Sequence, residues 1–262
     1  MATYVMSDLH GCKAEFDRML EIISFTEYDD LWIVGDICDR GKSSIPLLQE
    51  IISHSNMHIV FGNHDVWLAR YCQELIDAKK DNCSVDMTDD MMCWLHDNGG
   101  YRTADAFIDL PFPQCYDIKL YLEDHEFYRY LSVKGKKFLL VHAGLVGEYM
   151  RPNVRMSEVP VQMLVWSHVP EEDNPFDDCT MIVGHTPTFI YSPAYDGKIL
   201  HSASDKTIHI DCGCVYGRTL GCLRLDDMKE FYIKSTYPYM KYYPDDYLNT
   251  WRRSHKKSFA HD

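Results

Sequence analysis

The chain has 262 residues, of which 46% are hydrophobic and 25% charged, as in a folded protein with one large domain. Its net charge of −14 argues against general binding to nucleic acid or to an anionic membrane surface. The amino terminus lacks the pattern of a signal peptide, no apolar run approaches the length of a membrane span, and the ten cysteines form no C-x-x-C pair. We therefore predict a cytoplasmic protein with reduced thiols that binds neither membrane nor nucleic acid.

The first third of the chain alternates strand-like and helical patterns. Apolar runs predict strands at 3–6, 31–34 and 57–61. Helical spacing of apolar residues predicts helices over 13–23, 43–52 and 65–77. This βαβαβα order implies a largely parallel sheet covered by helices, in which ligands bind beyond the carboxyl ends of the strands.

Residues 79–129 interrupt this rhythm. They are polar and acidic at first, then helical in pattern around 91–95, and the sequence Asn-Gly-Gly at 98–100 predicts a break. We interpret the segment as an elaboration over the strand edge that could form a lid on the substrate side.

The second half of the chain is rich in hairpin signals. A hairpin is predicted at 130–141, and further strands at 181–183, 199–201, 208–210, 220–225 and 231–234. A parallel half followed by a hairpin-rich half predicts an α/β fold of two mixed β-sheets, packed as a sandwich and flanked by helices. We predict one domain over 1–234, followed by a Tyr-rich, basic tail at 235–262 that packs on the body or binds a partner.

Five short motifs each combine an Asp, Asn or His with a glycine, after an apolar run. They lie at 7–11, 35–41, 62–65, 142–144 and 184–185. Asp8 and His10 are one residue apart, so in an extended loop both side chains turn to the same side and can chelate one ion. Asp36 follows its own strand in the same way, and its carboxylate can bridge two ions.

The motifs together predict a site for two metal ions. The proposed ligands are Asp8, His10 and Asp36 for one ion, and Asp36, Asn63, His142 and His185 for the other. Oxygen and nitrogen ligands without thiolates suit manganese, which we expect, or iron, zinc or nickel. Few ligands per ion leave room for water and substrate, and two adjacent ions are suited to hydrolysing phosphoesters.

Residues that flank the ligands add to this interpretation. Arg40 carries a fork of donors that suits a phosphate group. His64 adjoins a ligand and could protonate a leaving alkoxide, with either Asp39 or Asp65 to orient it.

The five motifs resemble the signature of the calcineurin-like metallophosphoesterases, and those at 35–41 and 62–65 resemble the phosphoprotein phosphatase branch. Residues 98–100 and 211–217 resemble the compact bacterial and phage serine/threonine phosphatases and the related symmetrical dinucleoside tetraphosphatases. The resemblance implies two β-sheets sandwiched by helices and a metal-bridging hydroxide that attacks phosphorus. It also implies the same six ligands, with His64 as general acid, Asp39 behind it and Arg40 as phosphate clamp.

One position departs from that family pattern. Compact members usually carry a second phosphate-binding Arg after a Trp, whereas residues 164–168 read Leu-Val-Trp-Ser-His and place His168 there. One hypothesis is that protonated His168 binds phosphate, so that affinity rises toward mildly acid pH. Alternatively, Arg151 or Arg155 reaches the site, or His168 is a surface residue.

We interpret the acidic residues at 171–173 and 177–178 as a solvated loop rather than an extra cation site.

Three functions are compatible with the sequence. The leading prediction is a metal-dependent serine/threonine protein phosphatase that acts on a phosphoprotein or a small phosphoester. The alternative is a symmetrical bis(5'-nucleosyl)-tetraphosphate hydrolase, which needs a base-binding groove. A third reading is a regulatory binding protein with weakened chemistry. The sequence does not predict the oligomeric state.

Overall fold

The computed structural model describes residues 1–169 and 174–239. The strands are β1 (Thr3–Met6), β2 (Asp30–Val34), β3 (Met57–Val60), β4 (Tyr128–Val133), β5 (Lys136–Val141), β6 (Thr180–Val183), β7 (Leu200–His201), β8 (Thr207–His209), β9 (Thr219–Arg224) and β10 (Lys229–Lys234). The helices are α1 (Lys13–Ile23), α2 (Ser44–Ser53), α3 (Asn63–Asp81), α4 (Asp89–Met92), α5 (Tyr101–Ile108), α6 (Phe112–Glu123) and α7 (Val161–Trp166), and a π-helical turn (Cys93–Asp97) continues α4.

The strands form two five-stranded mixed sheets, which confirms the predicted fold class. The first sheet has the order β10-β9-β1-β2-β3, with β1, β2 and β3 parallel and β9 antiparallel to β1. The second has the order β4-β5-β6-β8-β7, with β5, β6 and β8 parallel between antiparallel edge strands.

Alternation along each strand explains why both faces of the sheets are buried. In β1, Tyr4 and Met6 pack with the helices, whereas Val5 packs into the layer between the sheets. In β5, Phe138 fills the layer between the sheets and Leu139 faces the opposite side. Strands covered on both faces read as continuous apolar runs, which is the pattern seen in the sequence.

Backbone hydrogen bonds join motif loops within each sheet. Asp8 N–H donates to Gly35 O at 3.0 Å, and His10 N–H donates to Asp36 O at 2.8 Å. In the second sheet, Gly184 N–H donates to His142 O at 2.8 Å. His185 N–H donates to Asp8 Oδ2 at 3.0 Å across the two sheets, so the carboxyl ends of strands from both sheets meet.

Residues 79–129 are more helical than the sequence analysis predicted. The predicted break at 98–100 separates the π-helical turn from α5, and α5 and α6 pack on α2 and α3. The segment reaches the strand edge near its end, where Phe61 N–H donates to Glu126 O at 2.8 Å. Most of the segment thus lies in the helical layer. It also contacts the loop at 35–41, where Arg40 N–H donates to Gly99 O at 3.1 Å, and its role as a lid on the substrate side stays a prediction.

The start of the predicted tail contacts the body of the protein. Thr236 N–H donates to Glu15 Oε1 at 2.6 Å, and Lys42 N–H donates to the Tyr237 hydroxyl at 2.9 Å. Residues 240–262 of the predicted tail and 171–173 of the predicted acidic loop lie outside the described residues. Asp177 and Asp178 of that loop form ion pairs with lysines.

Among the helices described, none combines the length and apolar character that a membrane crossing requires.

Candidate metal centre

Candidate ligands from several loops meet around the carboxylate of Asp36. Its Oδ2 atom lies 3.5 Å from His10 Nε2 and 3.4 Å from His142 Nε2. The ligand atoms of His10, Asp36 and His64 lie within 4.8 Å of one another, as do those of Asp36, His142 and His185. The two groups share Asp36, the arrangement expected of a carboxylate that bridges two cations.

Hydrogen bonds determine which nitrogen of two histidines faces this centre. His10 Nδ1 lies 2.7 Å from Cys38 O, and His142 Nδ1 lies 2.8 Å from Val34 O. Because a carbonyl oxygen can only accept, Nδ1 is the donor in each ring, and Nε2 is the ring nitrogen that faces Asp36. Backbone carbonyls commonly orient metal-binding histidines in this way.

The centre has an excess of hydrogen-bond acceptors, which fits a cation site. His142 Nε2 lies 3.2 Å from Asn63 Oδ1, and His185 Nε2 is buried without a hydrogen-bond partner in the described part of the chain. Although burial would lower the pKa of His142, Asp36 and Asp8 raise it to about 10. The two carboxylates thus favour a positive charge on His142, and they would favour a metal cation at the same place. The residues present fit divalent metal ions, and their chemistry does not single out one metal.

Asp8 links the two sheets at the centre. Its Oδ1 and Oδ2 accept hydrogen bonds from His185 N–H at 3.1 and 3.0 Å. Burial raises the pKa of Asp8 well above its ordinary value, and the neighbouring Asp211 adds to this effect. A bound cation would oppose both effects by favouring the ionised carboxylate.

Backbone strain is concentrated in the motif loops. Left-handed φ values between 41° and 73° occur at Asp8, His10, Asp36, Asp39, Arg40 and His185. Such conformations are costly for residues other than glycine and persist where surrounding contacts enforce them, often at functional sites. Close packing adds to the constraint, since a Cβ on Gly62 would lie 2.2 Å from Asp36 Oδ1.

The structure separates the roles of Asp39 and Asp65, which the sequence left open. His64 Nδ1 donates to Asp39 Oδ2 at 2.7 Å, so Asp39 is the residue that orients His64. Asp65 instead accepts hydrogen bonds from the backbone N–H groups of Asp36 at 2.8 Å and of Gly62 at 3.0 Å, and so ties two motif loops together.

His64 is neutral in this environment. Burial lowers the pKa of His64 to about 3, and the nearby Arg40 and His142 also oppose its protonation while Asp36 favours it. Negative charge from a bound phosphate group would act in the opposite direction. A substrate would therefore raise the pKa of His64 on binding.

Arg40 places its guanidinium between the two histidines. One terminal nitrogen lies 2.8 Å from His10 Nε2 and the other 2.9 Å from His64 Nε2. The guanidinium also lies 5.5 Å from the centre of the Tyr216 ring. Its fork of donors is thus directed into the site where a phosphate would meet the cations.

His168 lies beside the candidate ligand His185 rather than at a remote surface. The two ring centres are 4.8 Å apart, and His168 Nδ1 is 2.8 Å from Thr186 Oγ1. The alternative candidates Arg151 and Arg155 both pair with Glu158. Among the three positions considered, His168 is the one that the structure brings to the centre.

Sequence reasoning missed three residues that surround the candidate ligands. Asp211 is buried next to Asp8 and Arg40, and burial raises its pKa to about 6. It lies two residues after β8, the same strand-end signal that marked the other motifs. Trp94 and Thr103 contact Asp39 from the 79–129 segment, and no local pattern distinguishes them from ordinary core residues.

Comparison with known proteins places this chain among phosphoesterases. Residues 1–212 match the family model described as calcineurin-like phosphoesterase. Among curated relatives, the symmetrical bis(5'-nucleosyl)-tetraphosphatase of Nitrosospira multiformis is 28% identical over 274 residues, which cover 88% of this chain and 95% of that protein. The enzyme with the same name from Marinomonas sp. is 26% identical, with coverage of 88% and 96%.

Solved structures support the fold. A crystal structure of a proposed diadenosine tetraphosphatase matches with a TM-score of 0.60 and 18% identity, covering 89% of this chain and 93% of that one. A serine/threonine phosphatase from Saccharomyces cerevisiae matches with a TM-score of 0.57 and 14% identity, covering 94% and 82%. At such low identities these matches establish the architecture and do not separate the two activities.

Proposed function

Since the chain belongs to the calcineurin-like phosphoesterase family, we propose that this metal-dependent phosphoesterase hydrolyses dinucleoside tetraphosphates into two nucleoside diphosphates. The similarity to symmetrical tetraphosphatases over nearly their whole length carries this proposal. The expectation of a serine/threonine protein phosphatase rests on motifs and a fold that both enzyme classes share. We therefore favour the function that the sequence analysis kept as its alternative.

The proposed ligands of the two cations are Asp8, His10, Asp36, Asn63, His142 and His185. When bound, divalent cations would neutralise charge on the phosphate oxygens and activate a water molecule as nucleophile. The use of manganese and the cytoplasmic location stay predictions.

Arg40 and His168 are the proposed phosphate-binding residues. Arg40 lies next to His10 on one side of Asp36, and His168 lies next to His185 on the other. Two phosphate-binding residues on opposite sides of Asp36 would hold the phosphate group between them. This arrangement suits a tetraphosphate and a phosphomonoester alike, so the choice of substrate rests on the similarity to the tetraphosphatases.

His64 is proposed to protonate the leaving oxygen. With phosphate bound, the raised pKa would let His64 carry a proton on both ring nitrogens. Water then adds to one central phosphorus and releases a proton to solvent, while the bond from that phosphorus to the central bridging oxygen breaks. His64 Nε2 donates its proton to the departing nucleoside diphosphate and is protonated again from solvent. The Nδ1–H bond to Asp39 leaves Nε2 as the ring nitrogen that faces the substrate.

Trp166 is a candidate surface for stacking a nucleobase. It ends α7, its side chain is 38% exposed, and its ring centre lies 6.1 Å from that of His185. A second aromatic ring, Trp67, supports it at 4.9 Å in an edge-to-face contact. An exposed, supported indole beside the metal centre can stack any base without reading its sequence.

A substrate comparison tests the proposal. Purified enzyme with manganese is given diadenosine tetraphosphate or a phosphoserine peptide, and the nucleotide products are separated by chromatography. We expect ADP as the sole nucleotide product, formed much faster than phosphate is released from the peptide. A mixture of ATP and AMP would contradict symmetrical cleavage, and faster turnover of the peptide would favour the protein phosphatase.

Replacing Trp166 tests the nucleobase contact. Base–aromatic stacking is worth about 1–3 kcal/mol, so Trp166→Ala should raise KM for diadenosine tetraphosphate about tenfold and leave KM for an aryl phosphate nearly unchanged. Val161→Ala, at an exposed position at the other end of α7, is the control. An equal change in KM for both substrates would show that Trp166 does not recognise the nucleoside.

A further inference from the structure

Trp94 makes a contact with the proposed catalytic pair that neither the sequence motifs nor the family match explains. Its indole Nε1–H donates to Asp39 Oδ2 at 2.8 Å. The same oxygen accepts the hydrogen bond from His64 Nδ1 at 2.7 Å. All three side chains are fully buried. Trp94, Asp39 and His64 therefore form one continuous hydrogen-bonded chain, and His64 Nε2 at its far end lies 2.9 Å from the Arg40 guanidinium.

The indole group is chemically suited to fix the other two. An indole N–H can only donate a hydrogen bond. It therefore binds the Asp39 carboxylate but cannot accept the proton of His64 Nδ1 in place of that carboxylate. Two donors on one oxygen restrict rotation of the carboxylate. Asp39 in turn fixes the orientation of the His64 ring through Nδ1, so that Nε2 faces the site.

Trp94 is itself held rigidly. Its ring stacks on Tyr71 with 5.6 Å between centres and 12° between planes, and the Tyr71 hydroxyl donates to Asp90 Oδ2 at 2.6 Å. Gly100 packs against the indole, and a Cβ at this position would lie 2.3 Å from Nε1. A residue larger than glycine would therefore displace the ring.

Two further features place this contact at a functional site. Trp94 lies in the π-helical turn Cys93–Asp97. The π-helical conformation is rare in proteins, and where it occurs it is often at a functional site. Asp39 has a left-handed φ of 73°, and its N–H donates to Thr103 Oγ1 at 2.9 Å. The 79–129 segment thus supports Asp39 through both its side chain and its backbone.

We propose that Trp94 is a positioning residue that acts through Asp39 to align His64 with the leaving group. The inference rests on the proposed acid role of His64 and holds for any phosphoester that this enzyme cleaves. It assigns the 79–129 segment a part in catalysis, although that segment supplies none of the proposed metal ligands.

The test uses the full-length, metal-loaded enzyme and two aryl phosphates. Phenol is a poor leaving group that needs protonation, and p-nitrophenol is a good one that needs little. Trp94→Phe keeps the stacked ring and removes the N–H. We expect kcat for phenyl phosphate to fall about tenfold, and kcat for p-nitrophenyl phosphate to fall by less than about twofold, with KM and metal content unchanged. Trp32→Phe, at a buried position in β2, is the matched control.

A double-mutant cycle tests whether Trp94 acts through Asp39. If it does, Trp94→Phe will add little to the loss caused by Asp39→Asn. Equal losses on the two aryl phosphates, a loss of metal, no loss at all, or full additivity with Asp39→Asn would each overturn the inference.

His64→Asn, measured in parallel, separates this inference from the proposal on which it rests. If His64→Asn discriminates between the two leaving groups and Trp94→Phe does not, the inference about Trp94 alone fails. If neither variant discriminates, the acid role of His64 fails, and the inference fails with it.

Discussion

Residues 1–78 and residues 79–129 contribute to the same site in different ways. The first region presents candidate ligands and Arg40, the proposed phosphate-binding residue, from loops that each follow a strand. The second contributes Trp94 and Thr103, which contact Asp39 from behind. The side chains that would contact metal or substrate thus follow strands, whereas the side chains that support Asp39 lie in a helical segment packed behind it. Substitutions in the first region should therefore affect metal binding and activity directly, whereas substitutions in the second should affect the position of Asp39 and His64.

The largest effect is expected at Asp36, the residue that the two ligand groups share. Asp36→Asn removes the carboxylate charge between the proposed cations, and a loss of about 4 kcal/mol of transition-state stabilisation would lower activity about a thousandfold. Elemental analysis should show reduced metal content. Asp30→Asn is the control, since Asp30 begins the strand that Asp36 follows, is partly exposed and contacts His58. Full metal content with activity within tenfold of the parent would contradict the bridging role.

The second effect is on stability and concerns Asp65. Its carboxylate accepts backbone N–H groups from two motif loops, including that of Ile37 at 3.0 Å. Asp65→Ala leaves those buried donors unpaired, and we expect the free energy of unfolding to fall by about 3 kcal/mol in urea titration. Asp77→Ala, on the exposed side of α3, should change it little. A loss below about 1 kcal/mol would show that the loops keep their positions without this carboxylate.

Local sequence patterns predict the first region well because each element there satisfies a local rule. The structure reproduces the predicted bounds of β1 and α1, and α2 begins at Ser44 after Ser43, as expected. The same rule located the motifs, since a polar residue after a buried strand lies at the carboxyl edge of the sheet.

The second region could not be predicted to the same extent, for a physical reason. Helix α6 has a weak apolar face and exposes Leu120, so its sequence carries little helical periodicity. Trp94 reads as an ordinary core residue, because its hydrogen bond to Asp39 spans 55 positions. Contacts at such separations depend on the whole fold.

A substitution at Gly100 tests the second region without touching the proposed catalytic residues. Its φ of −69° is allowed for any residue, so Gly100→Ala acts through its new Cβ, which would lie 2.3 Å from Trp94 Nε1. Displacing the indole should lower the free energy of unfolding by about 2 kcal/mol. It should also reduce kcat for phenyl phosphate more than kcat for p-nitrophenyl phosphate. Unchanged stability and unchanged rates would show that the indole can move without consequence.

The smallest effect is expected in the first region, at the sheet edge opposite the candidate site. The Asp29 carboxylate accepts hydrogen bonds from Ala2 N–H at 2.7 Å and from the Thr26 hydroxyl at 2.8 Å. Burial would raise the pKa of Asp29, but the hydrogen bonds from Thr26 and Ala2 outweigh it and lower that pKa. A lowered folded-state pKa stabilises the fold above the unfolded pKa, and this contribution is lost as pH falls through the folded value.

Asp29→Asn should therefore lower the free energy of unfolding by about 1 kcal/mol at neutral pH. The difference from the parent should shrink as pH falls below about 4, where the parent carboxylate becomes protonated. Urea titrations across this pH range measure the difference. Activity at neutral pH should be unchanged, because Asp29 precedes β2 whereas Asp36 follows it. A difference that is constant with pH would assign the effect to packing rather than to the charge of the carboxylate.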